Sequence, residues 1–297
     1  MRTVLLQLLL QYAYSFHASE KLLYHFRRSS GIIYSEKEIL EAQEEFSAFI
    51  PSARETDEVA NLIDTVLYPQ REYGDRAQSS TDDSFPRVLG ASDPRTFLSY
   101  GEFPLGSFDC LLEVACLEFQ KNHNRQPNVL VDLGSGAGRL VLYAALCGYQ
   151  GSCKWKEVHG VEIVKDLHSI ALKTLGKGLD EGYFIKSGMG NNASSVHFHN
   201  GPAQEYNSIF SEADIIFSYS TVFESKGFDV ELGAMVLADE WSSWLGTICS
   251  PGCVIVTTDR ALSPEHGWEL KNTLNVDNPV LLGSTGYVSI LRDKDHV

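Results

Sequence analysis

The sequence has no long run of basic residues. Lys and Arg total 24 against 39 Asp and Glu, which gives a formal net charge of −15, and Arg27 and Arg28 are its only adjacent basic pair. Because phosphate contacts need clustered Lys or Arg, this composition argues against strong nucleic-acid binding. The acidic balance suits a solvated surface, or a basic partner such as a Lys-rich protein.

A continuous apolar run of roughly 18 to 20 residues, the length of a membrane-spanning helix, is also missing. The N-terminal run from Thr3 to Leu10 follows Arg2 and precedes small residues at a signal-peptidase spacing. Two interpretations of residues 1–35 therefore stay open: a presequence of secretory or plastid type, or an amphipathic N-terminal helix of a cytoplasmic or nuclear protein.

Metal-ligand spacing is missing as well. The six cysteines include Cys249 and Cys253, four residues apart, but no Cys or His accompanies them at a zinc-site spacing. We expect buried free thiols and predict no metal site. His159, His197 and His199 flank predicted strands, and we interpret them as ordinary hydrogen-bonded histidines, with a general base as the alternative.

Apolar strands alternate with helical stretches through most of the chain. Residues 36–92 are acidic and predict a helical extension, and residues 93–297 predict one α/β domain. The predicted parallel strands are Asn128–Leu133, Val158–Val164, Val196–Asn200, Asp214–Ser220 and Cys253–Thr258. Such alternation favours a mostly parallel sheet covered by helices. Val280–Leu282 and Tyr287–Leu291, joined through glycines, predict a closing antiparallel hairpin.

The most informative segment is a glycine-rich turn after the first predicted strand. Asp132 precedes Gly134, Ser135, Gly136 and Gly138, and a helix follows. Glycines let the backbone turn tightly and approach a ligand closely. The helix N-terminus provides N–H groups and positive potential for a ligand carboxylate. Asp132 lies where a carboxylate attracts a cationic amino or sulfonium group.

The second strand ends in Glu162, 24 residues after Gly138. A carboxylate at this strand tip accepts hydrogen bonds from the two ribose hydroxyls of an adenosine. A dinucleotide-binding turn would carry a third glycine at position 139, where this chain has Arg139. The pattern therefore favours S-adenosylmethionine over a nicotinamide dinucleotide, and a methyltransferase over a dehydrogenase.

Further motifs resemble one methyltransferase family. Tyr100-Gly101-Glu102, Ser107-Phe108-Asp109, the glycine turn and Gly160-Val161-Glu162 resemble the histone-lysine methyltransferases that lack a SET domain, the disruptor-of-telomeric-silencing family, over roughly residues 93–262. The resemblance implies a Rossmann-like seven-strand methyltransferase sheet. It also implies that the loop with Tyr100 closes over S-adenosylmethionine and that Glu162 binds the ribose.

The acceptor side departs from that family. Asn200-Gly201-Pro202 stands where the family has Gly-Asp-Phe, and Phe217-Ser218-Tyr219 stands where it has a pair of asparagines. We assign Gly201 and Ser218 to the cofactor site. We expect Tyr219 to orient the methyl acceptor at the sheet edge where ligands bind, and Glu102 to orient the acceptor or hold the loop.

Three functions follow from these motifs. The first is methyl transfer to a protein side chain, with a lysine as the acceptor that the resemblance implies. The second is methyl transfer to a small molecule, which the altered residues after the fourth strand suggest. The third is a non-enzymatic module that binds S-adenosylmethionine.

Overall fold

The structure is a computed structural model that describes residues 53–74, 76, 101–150, 155–184 and 194–293. The chain divides into two units, Met1–Arg54 and Glu55–Val297, and the description below concerns the second. The expected presequence or helix in residues 1–35 and most of the acidic extension lie outside the described residues, as does the boundary expected at residue 92.

Six α-helices lie entirely within the described residues. They are α1 (Ala53–Leu62), α2 (Leu105–His123), α3 (Arg139–Gln150), α4 (Lys165–Asp180), α5 (Asn207–Glu212) and α6 (Asp239–Ile248). A π-helical turn, Ile63–Leu67, continues α1 and buries Ile63 and Leu67. None of the helices in these residues combines the length and the apolar character that crossing a bilayer requires.

The described chain also contains nine strands. They are β1 (Val129–Leu133), β2 (Glu157–Glu162), β3 (Ser195–Asn200), β4 (Ile215–Ser218), β5 (Ser225–Asp229), β6 (Ala234–Leu237), β7 (Val254–Thr258), β8 (Trp268–Val276) and β9 (Ser284–Leu291). Seven of them form one sheet in the order β3-β2-β1-β4-β7-β9-β8, and β5 and β6 form a separate hairpin. The first five of the seven are parallel, and β9 runs antiparallel to both β7 and β8.

The central strands are apolar on both faces, as a sheet covered on both sides requires. Every residue of β4 and of β7 is buried. One face packs against α2, α3 and α4, and the other against α5 and α6. Because helices cover both faces, a ligand can reach the sheet at the edge where the parallel strands end, and we look for functional groups there.

The five predicted parallel strands are confirmed, with ends that differ by no more than two residues. The C-terminal hairpin is also confirmed, but its first strand is β8, and Val280–Leu282 belongs to the connecting loop. Pro279 has no N–H for a ladder there. The amides of Leu281 and Gly283 instead donate to the Asn278 carbonyl, at 3.0 and 2.9 Å, which closes a turn.

Candidate active site

The glycine turn lies between β1 and α3 and needs its glycines for two reasons. Gly134, Gly136 and Gly138 have φ angles of 81°, 56° and 82°, a region that side chains disfavour. A Cβ on Gly138 would also lie 2.6 Å from the Phe198 ring and 2.8 Å from the Ala171 Cβ. The turn therefore follows a path that other residues would obstruct.

Backbone hydrogen bonds hold this turn against β2. The amides of Gly134 and Ser135 donate to the Val161 carbonyl at 2.9 and 3.1 Å, and the Gly138 amide donates to the Ser135 carbonyl at 2.9 Å. The Ser135 side chain is buried beside Gly160. Hydrogen bonds within the protein therefore fix the conformation of the turn, and no ligand is needed for it.

Glu162 ends β2 and points its carboxylate at the turn. Its Oε2 accepts the Gly136 amide at 2.7 Å and its Oε1 accepts the Val164 amide at 2.7 Å. Burial raises the pKa of Glu162, and these amides oppose the rise. A carboxylate oxygen has more than one lone pair, so each oxygen retains capacity for a ligand hydroxyl.

Asp132 lies near the end of β1, one strand away from Glu162. Its side chain is 3% exposed, and no donor among the described residues forms a hydrogen bond with its carboxylate. Burial, with a smaller contribution from the Glu162 charge, raises the pKa of Asp132 to about 8. A buried carboxylate with no donor among the described residues is suited to a cationic ligand.

The tip of β3 closes the site beside Glu162. The Gly201 amide donates to the Glu162 carbonyl at 3.0 Å, and Asn200 Nδ2 donates to the same carbonyl at 2.9 Å. Gly201 has a φ of 148°. The structure therefore brings Gly201 to the acid that the sequence assigns to the ribose.

Ser218 and Tyr219 end β4 and differ in what they contact. Ser218 is buried and its hydroxyl donates to the Leu133 carbonyl at 3.3 Å. The Tyr219 ring packs on Phe103, with centroids 5.0 Å apart, and a Cβ on Gly101 would lie 3.2 Å from it. Tyr219 thus lies under the loop with Gly101 and Phe103. Tyr100 itself lies outside the described residues.

The Tyr219 hydroxyl belongs to a hydrogen-bond network that sequence reasoning missed. Asn278, fully buried, lies 3.1 Å through Nδ2 from that hydroxyl and 2.9 Å from Ser284 Oγ. Ser284 Oγ in turn donates to Asp259 Oδ2 at 3.1 Å, and Thr221 donates to the same oxygen at 2.5 Å. Asp259 directly follows β7, and a polar residue at the end of a parallel strand is a pattern that the sequence can show. Asn278 lies in a loop, where no sequence pattern indicates a functional role.

Glu102 forms ion pairs next to this loop. Its Oε1 lies 2.6 Å from Arg76 Nη2 and 2.7 Å from Arg76 Nε, and its Oε2 lies 3.8 Å from Arg139 Nε. Of the two roles expected for Glu102, this placement favours holding the loop in position, and it does not favour a contact with the methyl acceptor.

A segment before the α/β domain also reaches the glycine turn. The buried Tyr68 hydroxyl donates to the Ala137 carbonyl at 2.6 Å. Arg139 binds Asp64 at 2.5 and 3.1 Å and donates to the Phe103 carbonyl at 2.9 Å. Tyr68 and Asp64 carry no recognisable motif, so sequence reasoning did not select them.

The three histidines of β2 and β3 lie before the strand ends. His159 bonds to His199 at 3.2 Å and to Glu157 at 3.1 Å, and its ring stacks on that of His197. Burial lowers the pKa of His159, and burial with the neighbouring imidazoles lowers the pKa of His199 to about 4. The interpretation of His159 and His199 as hydrogen-bonded histidines fits this geometry.

Asp239, Glu265 and His266 also converge. The Lys226 ammonium lies 2.9 Å from the Asp239 carboxylate and 3.1 Å from the Glu265 carboxylate. This cluster therefore already contains its cation.

The strand order and the glycine turn together define a Rossmann-like methyltransferase fold, since β9 inserts antiparallel between β7 and β8 and Glu162 faces the turn after β1. No family model matches the chain, and no curated protein matches it.

Solved structures with similarity to the chain include three methyltransferases. Magnesium protoporphyrin IX methyltransferase from Synechocystis, with bound S-adenosylmethionine, has a TM-score of 0.39 and 12% identity, covering 80% of this chain and 97% of its own. An rRNA methyltransferase from Streptomyces viridochromogenes has a TM-score of 0.42 and 11% identity, covering 75% and 94%. An S-adenosylmethionine-dependent methyltransferase from Thiobacillus denitrificans, in complex with S-adenosylhomocysteine, has a TM-score of 0.36 and 12% identity, covering 60% and 91%.

Proposed function

We propose that the protein is an S-adenosylmethionine-dependent methyltransferase. One observation carries this proposal: Glu162 Oε2 lies 2.7 Å from the Gly136 amide, while the neighbouring Asp132 is 3% exposed. A turn of three left-handed glycines flanked by these two acids matches a ligand with a ribose and a cationic group. The acids occupy different strands, so the arrangement requires the fold and not the motif alone.

The residues present fit S-adenosylmethionine. Asp132 would face its cationic amino or sulfonium region, Glu162 would accept its ribose hydroxyls, and the turn from Gly134 through Ser135 to Gly138 would approach it along the backbone. Gly201 would border the same pocket beside Glu162. Ser218 supports the turn from below, because its hydroxyl bonds to the Leu133 carbonyl.

When bound, this cofactor supplies a methyl group on a sulfonium sulfur, which is already an activated leaving group. The protein therefore mainly provides alignment and exclusion of water. Tyr219 would orient the acceptor through its hydroxyl, which Asn278 holds at 3.1 Å. Phe103 packs on the Tyr219 ring and shields this end of the site from solvent.

We propose a protein lysine as the acceptor. The support is the resemblance at Tyr100-Gly101-Glu102 and the net charge of −15, which attracts basic polypeptides. A lysine amine must lose its proton before it attacks, since its unperturbed pKa is about 10.4. Burial beside Phe103 and Tyr219 would lower that pKa.

The test is incubation of the purified chain with methyl-labelled S-adenosylmethionine, first alone, then with core histones, and then with a cell extract. Label in histone or other protein lysines is the expected result. Label recovered only in small molecules would replace lysine by a small-molecule acceptor. Binding without any transfer would reduce the protein to a cofactor-binding module.

Glu162→Gln tests the cofactor site, and we expect it to weaken cofactor binding because an amide replaces one acceptor oxygen with a donor. Glu181→Gln is the matched control, since Glu181 is exposed after α4. Equal cofactor affinity in both variants, measured by calorimetry, would contradict the assignment of Glu162.

A further inference from the structure

Three histidines occupy one face of the neighbouring strands β2 and β3. His159 is directly opposite His197 in the parallel register, and His199 is opposite Val161. Alternate residues of a strand point to the same face, so His197 and His199 share a face. His159 joins them there, because its ring stacks with both at centroid distances of 4.9 and 5.4 Å.

We propose that His159, His197 and His199 form a binding site for a divalent transition-metal ion of the zinc type. Imidazole nitrogens are common zinc ligands, and sets of three histidines with one open position are established. The strands fix the spacing of the three Cα atoms. The site is separate from the proposed cofactor pocket and does not depend on the proposed function.

Two of the nitrogens are separated by a distance close to that between two ligands of such an ion. His159 Nδ1 and His199 Nε2 lie 3.2 Å apart. Zinc–nitrogen bonds of about 2.0–2.1 Å at a tetrahedral angle place two ligand nitrogens about 3.3 Å apart. The ring centroids lie 5.4 Å apart, so the two nitrogens face each other along the hydrogen bond. Both rings must therefore turn before they bind one ion, whereas the strands can stay in place.

Glu157 provides the outer support that metal-binding histidines usually have. Its carboxylate lies 3.1 Å from His159 Nε2. In the tautomer that donates the Nε2–H to Glu157, the Nδ1 lone pair is left for the ion. The proton of His199 Nε2 moves to Nδ1 of the same ring when an ion takes its place. Both imidazoles remain neutral, and no proton is lost.

His197 completes the set from the edge strand. Its side chain is exposed, and its ring centroid lies 6.4 Å from that of His199. In the conformation described, the His197 ring stacks on that of His159, so binding requires rotation about the His197 side-chain bonds. Solvent access would leave a fourth position for water. A bound ion would then join the edge strand β3 to β2, the strand that ends in Glu162.

Calorimetric titration of the untagged, chelator-treated protein with zinc chloride tests this site. We expect one ion per chain, with an affinity that falls roughly tenfold or more in His197→Ala and in His199→Ala. His197 is exposed, so its variant should fold normally. His266→Ala is the matched control and leaves zinc affinity unchanged, although His266 belongs to the cluster with Asp239 and Glu265.

Thermal melting provides a second readout. Zinc should raise the melting temperature of the wild-type chain and of His266→Ala but not that of His197→Ala, because a ligand stabilises only the state that binds it. No zinc binding by the wild type, equal affinity in His197→Ala, or loss of binding in His266→Ala would each overturn the proposal.

Discussion

Asp132 illustrates, at the scale of one residue, a group whose environment opposes its own charge. Its carboxylate is almost completely buried, another carboxylate is nearby, and its pKa is raised to about 8. In the unfolded chain the same group titrates near 3.9. Above the unfolded value, folding must therefore bind a proton or bury a charge, and either costs free energy.

Asp132→Asn should accordingly stabilise the cofactor-free protein while abolishing cofactor binding. The gain is on the order of 1–3 kcal/mol at pH 7. It should be absent below about pH 4, grow as the pH rises, and level off above about 8, because the folded pKa lies above the unfolded one. Urea unfolding at several pH values measures the gain, and calorimetry measures the binding. A variant less stable than the wild type at pH 7 would refute the environment described for Asp132.

Tyr219→Phe removes one hydroxyl and leaves the ring packed on Phe103. We expect methyl transfer to slow roughly 10- to 100-fold while cofactor affinity changes less than twofold, because the hydroxyl faces Asn278 and not the glycine turn. Single-turnover kinetics with labelled cofactor check this. Tyr183→Phe, at a residue 40% exposed, is the control. Equal transfer rates in the two variants would remove Tyr219 from the reaction.

Residues at the carboxyl ends of neighbouring parallel strands were predictable, and residues that long connections bring together were not. Asp132 and Glu162 lie at the carboxyl ends of the adjacent strands β1 and β2, and Gly136 lies in the turn after β1, so strand order places them together. Asn278 reaches Tyr219 across 59 residues of sequence, and no local pattern encodes such a pairing.

Among the elements, the segment from α1 through Tyr68 has a role that its sequence does not indicate. It contacts α3 and α4 through the turn Ile63–Leu67, and the Tyr68 hydroxyl donates to the Ala137 carbonyl of the glycine turn. The segment therefore supports the turn from outside the sheet.

Tyr68→Phe should destabilise the protein by roughly 1–2 kcal/mol, since a buried carbonyl loses its partner, and should also weaken cofactor binding severalfold. Chemical unfolding and calorimetry measure the two effects. Tyr183→Phe again serves as the control, because Tyr183 is exposed to solvent. Unchanged cofactor affinity would show that the turn keeps its shape without this hydrogen bond.

The starts of β1 and β4 are joined by Asp214. Its carboxylate accepts two hydrogen bonds from the Arg125 guanidinium, at 2.6 and 3.1 Å, and one from the Asn128 amide, at 2.6 Å. Burial alone would raise the pKa of Asp214, but Arg125 and the amides lower it overall. The stabilisation is thus present above the unfolded pKa and lost as the pH falls through the lower folded pKa.

Asp214→Asn should therefore cost roughly 1–3 kcal/mol of unfolding free energy at pH 7. The difference from the wild type should shrink as the solution becomes more acidic than the ordinary carboxyl range. Urea unfolding at neutral and acidic pH provides the measurement. Asp180→Asn, at an exposed helix end, should have little effect at either pH, and a pH-independent loss in Asp214→Asn would contradict the assigned charge.

The elements themselves were predicted where apolar periodicity was strong. The five parallel strands were placed within two residues, whereas the hairpin of β5 and β6 was not predicted. Its strands include Gly227 and Asp229, which have low strand propensity. Conversely, Val280–Leu282 is apolar enough for a strand, but it is an exposed loop because Pro279 interrupts the ladder. Strand propensity was therefore misleading for both the β5–β6 hairpin and Val280–Leu282, because tertiary contacts decided the structure of each.

For the whole molecule, the charge of −15 makes long-range attraction to a basic acceptor dependent on ionic strength. Raising NaCl from 50 to 300 mM should increase KM for a core-histone acceptor severalfold and leave cofactor affinity within twofold. Steady-state transfer assays and calorimetry at both salt concentrations test this. A KM that is insensitive to salt would argue against a basic protein acceptor.

The position of β9 has a consequence for how the molecule is made. β9 lies between β7 and β8, although it follows both in the sequence. Until β9 has been synthesised, β7 has an open edge and β8 has no partner strand in the main sheet. The main sheet therefore acquires its final strand order only after residues 284–291 emerge, and until then unpaired strand edges are open to association with other chains.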